Sequence, residues 1–504
     1  MSFSQVKIGA IFSYILIALN AIYNLFITPY VLGCLGSEDF GVYQAMTSLT
    51  TSLMVFDLGM GGTVMRYIAK FIEEKKYKEI SNFVCMSFIQ AGVIVIILLF
   101  VSSIIYYKLG DIFDGGMSLD NIVVCKKLFI IQIAILAAHI IENILNGIIT
   151  GYNRFAFGNG IKVIRIISRA ILVYSFVYLY PSPETLVLVD LVIILLMLIM
   201  ELIYIKRVLH FQYNYYYWDG SLFKESFYYT ICLFFTSIVM QVNSNAANIL
   251  IGAMKGPVLV AIYSMAVLIN NMFCQLSSSV SGVLLPTAMN KIMSCQTKEE
   301  EVDIVQRFII KVGRVQFAIL GLFVCFFIAF GKDFILLWLG DKFIDVYYLS
   351  IVLMLPVLLE LCVNVCVTIL RVKNKLVFRT IVLSLGALIT VIFSILGLKF
   401  SSYYSVAYAT GLGTFISSVI VMNIYYFKVF HYNMIYVYIK IFSRLLPSFL
   451  LILVIAFGIN HLFTLSWLNL FIECLLMGII SLPIIYWGGL NKDEKSMFSL
   501  KRLV

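Results

Sequence analysis

Charge is what this chain has least of. Asp, Glu, Lys and Arg make up 12% of its 504 residues, against about 25% in a soluble globular chain. A water-soluble enzyme is excluded by that scarcity. Proline is sparse as well, at 8 residues, and no polar or low-complexity stretch outlasts a loop, which excludes a long disordered tract. Histidine numbers only 4, none near Cys362 and Cys366 in sequence, so no metal site is expected from that helix-spaced thiol pair. The 10 cysteines fall mostly inside apolar stretches without repeated spacing, the pattern of thiols packed in helices and not of a disulfide framework. No P-loop or other phosphate-cradling glycine signature is present, so neither ATP nor another cofactor is expected. The first apolar run follows one lysine and lacks a small-residue cleavage site, which reads as a retained helix.

What the chain has is apolar length. Hydrophobic residues reach 62% and the mean hydropathy is +1.01. Fourteen apolar runs, from 8–33 and 40–64 to 437–461 and 466–488, each cover the roughly 20 residues that a bilayer helix needs. The fold expected is all-α, a polytopic membrane protein of fourteen transmembrane helices. Loops are short, and none is long enough to hold a catalytic domain outside the membrane.

The net charge of +10 comes from bases at the ends of apolar runs, with no separate basic patch, so it points to membrane orientation and not to nucleic acid. With the N terminus and alternate loops inside, 29 of the 36 Lys and Arg residues fall on the cytoplasmic side and 7 outside. That bias places both termini in the cytoplasm. The aromatic cluster FQYNYYYW, 211–218, suits a headgroup-level stretch between two bundles.

The chain also repeats. Gly36 and Tyr43 recur as Gly256 and Tyr263, an offset of 220 residues. Glu142, Asn146 and Thr150 stand at helical spacing on one face, and Glu360, Asn364 and Thr368 repeat that ladder 218 residues later. An arginine follows each, Arg154 and Arg371. The division expected is a six-helix bundle over 1–215, a second over 216–432, an added helix pair over 433–490 and a cytoplasmic tail over 491–504. Such a repeat is transporter architecture.

Ionisable groups inside a membrane are costly and so are candidates for function. Asp57, Glu142 and Glu360 are the acids expected to couple an ion, with His139 one turn before Glu142 as a relay; the packing alternative is that they bond or are protonated between helices. Arg66, Arg165, Arg169, Lys311 and Arg314 are the bases expected to line a cavity open to the cytoplasm, against the alternative of snorkelling to headgroups. Amides form stripes at Gln241, Asn245 and Asn248 and at Asn270, Asn271 and Gln275. Asn270 and Gln275 are expected to meet substrate hydroxyls, or else to join helices.

The stretches TPYVLGCLGSEDFGVYQAM, FDLGMGGTVMRYIAKF, LNGIITGYNRF and NILIGAMKGPVLVAIYSMA together resemble the polysaccharide flippase family of the multidrug/oligosaccharidyl-lipid/polysaccharide exporter superfamily. Where relatives often carry Asp, this chain has Asn248. The resemblance implies a flippase that moves an undecaprenyl-diphosphate-linked oligosaccharide from the inner to the outer leaflet of a bacterial cytoplasmic membrane, for O-antigen or capsule-type polysaccharide. It further implies membrane lipids as surroundings, a polysaccharide polymerase and glycosyltransferases as pathway partners, and a monomer. The alternatives are an ion-coupled drug or metabolite exporter of the same superfamily, and a membrane enzyme, which the lack of a sizeable external loop disfavours.

Overall fold

The computed structural model describes residues 3–57, 59–211, 213–217, 220–293, 298–373, 375–400, 402–491 and 495. Among these the chain is helical throughout its regular elements and has no strand. Most of the tail expected over 491–504 lies outside the described residues.

The first half begins with α1 (Phe3–Ile22), which passes through a π turn (Tyr23–Ile27) into α2 (Thr28–Ser52). The wide turn is closed by the N–H of Thr28, which reaches the Tyr23 oxygen five residues back, immediately before Pro29, whose ring carries no N–H. Within α2 the chain breaks at Gly36, φ 81°, and its repeat partner Gly256 also has a positive φ, 100°. Both junctions need a left-handed residue, which only glycine adopts without strain. A tightened segment (Leu53–Asp57) then leads to α3 (Met60–Glu73), followed by α4 (Tyr77–Phe113), α5 (Leu119–Gly151), α6 (Phe155–Leu179), α7 (Pro183–Arg207) and α8 (Gly220–Met254).

The second half continues with α9 (Pro257–Met293), α10 (Lys298–Leu339), α11 (Asp345–Cys362), α12 (Val365–Val372), α13 (Leu376–Phe400), α14 (Tyr404–Thr414), α15 (Met422–Phe430), α16 (Met434–Asn460) and α17 (Trp467–Ile484). Counting α1 with the start of α2, the rest of α2 with α3, α11 with α12 and α14 with α15, the described residues form fourteen rods, one for each apolar run. Among the described residues eleven stretches are long and apolar enough to cross a membrane, Ile15–Glu73 counting as one. α6 falls outside that number: it carries Lys162, Arg165 and Arg169, charges that call for partners. Along α4, Val93, Ile96, Leu99 and Phe100 point outward, the apolar face a lipid-bathed helix presents.

Two compact units divide the chain, Met1–Ala261 and Ile262–Val504. In the first, α5 is the central post, packed against α2, α3, α4 and α7. Gly147 lets α3 come close: a Cβ there would stand 2.7 Å from the Gly61 carbonyl oxygen. Small residues that bring backbones together are the usual device for packing helices in lipid. The aromatic segment 213–217 is not helical and lies along the start of α4, where the Asn82 side-chain oxygen accepts from the backbone N–H groups of Tyr216 and Tyr217 at 3.1 and 3.2 Å.

In the second unit α10 packs on α11 and α16, and α13 on α14. Here the structure departs from the expected ladder. α5 carries Glu142, Asn146 and Thr150 on one unbroken helix, but α11 ends at Cys362 and Thr368 sits beyond the break in α12. Bonds of i to i−3 type, from Val363, Asn364, Cys366 and Val367, tighten the chain through the gap. So Glu360 and Thr368 do not share a continuous helical face.

A polar cavity in the first unit

A cavity of about 380 Å³ opens inside the first unit, between α1, α2, α5, α6 and α7. Asn20, Tyr43, Thr47, Thr51, Gln132, His139, Arg165, Arg169 and Asp190 give it polar walls. The helix pairings set which groups meet there. α5 packs against α7 and α6 against both α5 and α7, which brings bases on α6 to acids on its two neighbours.

Each arginine of α6 is matched to one carboxylate. Arg165 donates to Glu142 Oε1 on α5 through a short hydrogen bond. Arg169 forks onto Asp190 of α7, with Nε and Nη2 donating to Oδ1 and Oδ2 at 2.6 and 2.9 Å. Such bidentate pairs fix geometry as well as charge. The Arg169 guanidinium also donates to the Tyr43 hydroxyl at 3.2 Å and lies 5.1 Å from the ring centre of Tyr23, in the π turn before Pro29. That turn therefore supplies a cation–π partner.

A second line of contacts runs behind the cavity wall. Asn143 Nδ2 donates to Asp57 Oδ1 at 2.8 Å and lies 3.0 Å from His139 Nδ1, and His139 Nε2 is 3.7 Å from Glu142 Oε2. Asp57, His139, Glu142 and Arg165, singled out separately in the sequence, thus stand in one chain of neighbours. Gln132 adds a neutral clamp on α2, accepting from Thr50 and donating to Thr47, both at 3.1 Å. Across from it, the amide stripe of α8 joins α2: Thr51 donates to Asn245 at 3.2 Å and Asn248 to Ser48 at 2.9 Å.

The other expected residues lie elsewhere. Arg66 is exposed on α3. Glu360, Lys311, Arg314, Asn270 and Gln275 belong to the second unit. There Glu360 Oε1 accepts from Arg379 of α13 at 3.5 Å, while Lys311 is exposed and Asn270 and Gln275 are half-buried. Arg314 is buried, and its guanidinium donates to the carbonyls of Lys440 at 2.9 Å and Gly489 at 2.6 Å, tying α10 to the terminal helix pair.

Sequence reasoning passed over Asp190 and Glu201. Both stand inside the apolar run 185–205, and the rule that marks Asp57 applies equally to them. Among the described residues no group of three or more His, Cys, Asp or Glu is arranged to hold a metal ion.

Among the described residues, long apolar helices make this a multi-pass membrane protein, and its first unit holds a polar, charge-paired cavity. The chain belongs to the family described as polysaccharide biosynthesis protein, which its residues 7–293 match, and the resemblance drawn from its helix motifs is borne out. Its fold is similar to that of the lipid II flippase MurJ in an inward closed conformation, with a TM-score of 0.72 at 16% identity over 94% of this chain and 97% of that one. An inward-facing multidrug resistance MATE transporter of the MOP superfamily is also similar, with a TM-score of 0.64 at 12% identity over 85% of this chain and 95% of that one. A MOP superfamily transporter from Pyrococcus furiosus gives 0.53 at 13% identity, over 86% and 94%. No curated protein matches the chain by sequence.

Proposed function

We propose that the protein flips an oligosaccharide carried on undecaprenyl diphosphate from the inner to the outer leaflet of a bacterial cytoplasmic membrane, by alternating access of its two halves. It acts as a transporter and not an enzyme, works as a monomer with both termini in the cytoplasm, and serves an O-antigen or capsule-type pathway alongside a polymerase and glycosyltransferases.

One observation carries this reading: in a chain of the polysaccharide family, the cavity offers amides, hydroxyls and phenols, while Arg165 and Arg169 are already balanced by Glu142 and Asp190. Neutral polar groups of that kind recognise sugar hydroxyls. A diphosphate would have to take an arginine from its carboxylate, an exchange of one forked partner for another that binds and later releases.

The test is surface polysaccharide in a strain lacking its own flippase, with membrane abundance measured alongside. Restoration by the wild-type chain, and its loss at normal abundance in Arg165→Ala and in the double variant Arg169→Ala with Asp190→Ala, is the outcome expected; unchanged export in both removes the cavity from the mechanism. The multidrug transporter of similar fold motivates the second reading, an ion-coupled exporter. Drug resistance conferred without any surface polysaccharide would favour it. Orientation is checked by single cysteines at Ser37 and Ser182, expected to react with impermeant thiol reagents from outside, and at Ser294, expected not to; Ser294 lies outside the described residues.

A further inference from the structure

We propose that Glu142 and Glu201 form a proton-binding pair in the first unit, and that its occupancy decides where the Arg165 guanidinium lies. This rests on the transport reading above and adds to it a site for the ion and a group that the ion moves.

The two glutamates come from α5 and α7, which pack together. Their exposures are 4% and 0%. Arg165 serves Glu142 Oε1, and Glu142 Oε2 has no hydrogen bond; His139 Nε2, at 3.7 Å, is too far to supply one. Glu201 has only a long bond, from Asn146 Nδ2 to Oε1 at 3.4 Å, and its Oε2 is also buried without a partner. Asn146 is one turn along α5 from Glu142, so a single helical face links the pair.

The charges around the pair are these. α6 provides Arg165 and Lys162, of which Lys162 is exposed; α5 provides His139; the Leu53–Asp57 segment provides Asp57, held by Asn143. Of these two buried carboxylates, Glu142 is bonded to an arginine, and Glu201 only to the Asn146 amide. A second ionised carboxylate here would bury an uncompensated charge together with an unbonded oxygen, which membrane interiors do not tolerate. A proton on Glu201 removes both costs, and Arg165 stays with Glu142 on the cavity wall. When the proton leaves, two anions compete for one guanidinium, which is drawn from the wall toward α7. Protonation thereby alters the charge pattern that a substrate meets.

The measurement is infrared spectroscopy of the full chain, purified and reconstituted in lipid at neutral pH without substrate, reading the C=O stretch of protonated carboxylic acids. Wild type should show such a band that is missing in Glu201→Gln. In Glu142→Gln the band should weaken, because Arg165 becomes free to pair with an ionised Glu201. An identical band in wild type and Glu201→Gln overturns the proposal. If Glu201→Gln does not fold, the Glu142→Gln spectrum decides: a weakened band supports the pair and an unchanged one refutes it. No transport enters this assay, so the pair and the flippase reading stand or fall separately.

Discussion

The two units carry the same acid in the same place and surround it differently. Glu142 on α5 and Glu360 on α11 each meet an arginine from the helix that follows the ladder, Arg165 and Arg379. In the first unit the neighbourhood is polar: His139 lies 3.7 Å from Glu142, Arg169 pairs with Asp190 close by, and a cavity opens beside them. At the repeat position of His139, 218 residues on, stands Val357. The backbones differ too. Gly147 and Gly151 let α3 press against an unbroken α5, while their counterparts Val365 and Ile369 follow the break between α11 and α12. A duplicated acid–arginine pair is thus compatible with two structural settings, and the added polar groups distinguish the first unit.

The largest effect that would sharpen this contrast lies in the pair without a counterpart. Arg169→Ala strands the half-buried Asp190 in the first unit and should cost about 2 to 3 kcal/mol, below the range for breaking a fully buried pair, seen as loss of membrane abundance and export. Arg169→Ala with Asp190→Ala together should recover abundance but not export. If Arg169→Ala alone keeps normal abundance, the pair is not structural.

Next comes the close approach of α3 and α5. Gly147→Val should destabilise by on the order of 2 kcal/mol through overpacking, read as detergent-solubilised protein losing its monodisperse peak at lower temperature. Val365→Gly in the second unit should matter less. Equal losses at the two positions would erase the difference drawn between the backbones.

A smaller effect on stability, but a sharper one on export, is expected of the shared acids. Glu142→Gln should impair surface polysaccharide more than Glu360→Gln, because only Glu142 joins a chain of neighbours reaching Asp57 and the cavity. The reverse order would shift the ion-coupling role to the second unit. Smallest of all is Asn248→Ala, which removes one bond to Ser48; interhelical bonds in membranes average about 0.6 kcal/mol, so thermal stability should fall slightly and export stay near normal.

The helices were legible in the sequence because a bilayer demands long apolar runs, and the repeat because Gly36 and Gly256 both mark a left-handed junction. Acid–arginine pairing was not. Glu142 and Arg165, 23 positions apart, read as an ion-coupling acid and a substrate-binding base, and only the crossing of α5 with α6 turns them into partners. Arg314 shows the same limit: it reads as a substrate-binding base, with snorkelling as the alternative, yet backbone carbonyls of α16 and the chain near Gly489 hold it inside. Hydropathy reports depth along a helix, whereas partners depend on which faces meet.

The π turn at Tyr23–Ile27 has a consequence for phase. An α-helix advances about 100° per residue, and a π turn holds one residue more than an α turn. Everything in α1 before the turn is therefore rotated by about 100° relative to an uninterrupted helix. Asn20 reaches the cavity wall under that offset. Removing a single residue from the turn would change the length of the rod by only about 1.5 Å, but it would swing Asn20 through more than a quarter circle. In this helix, the residue count within one turn selects the face presented to the cavity.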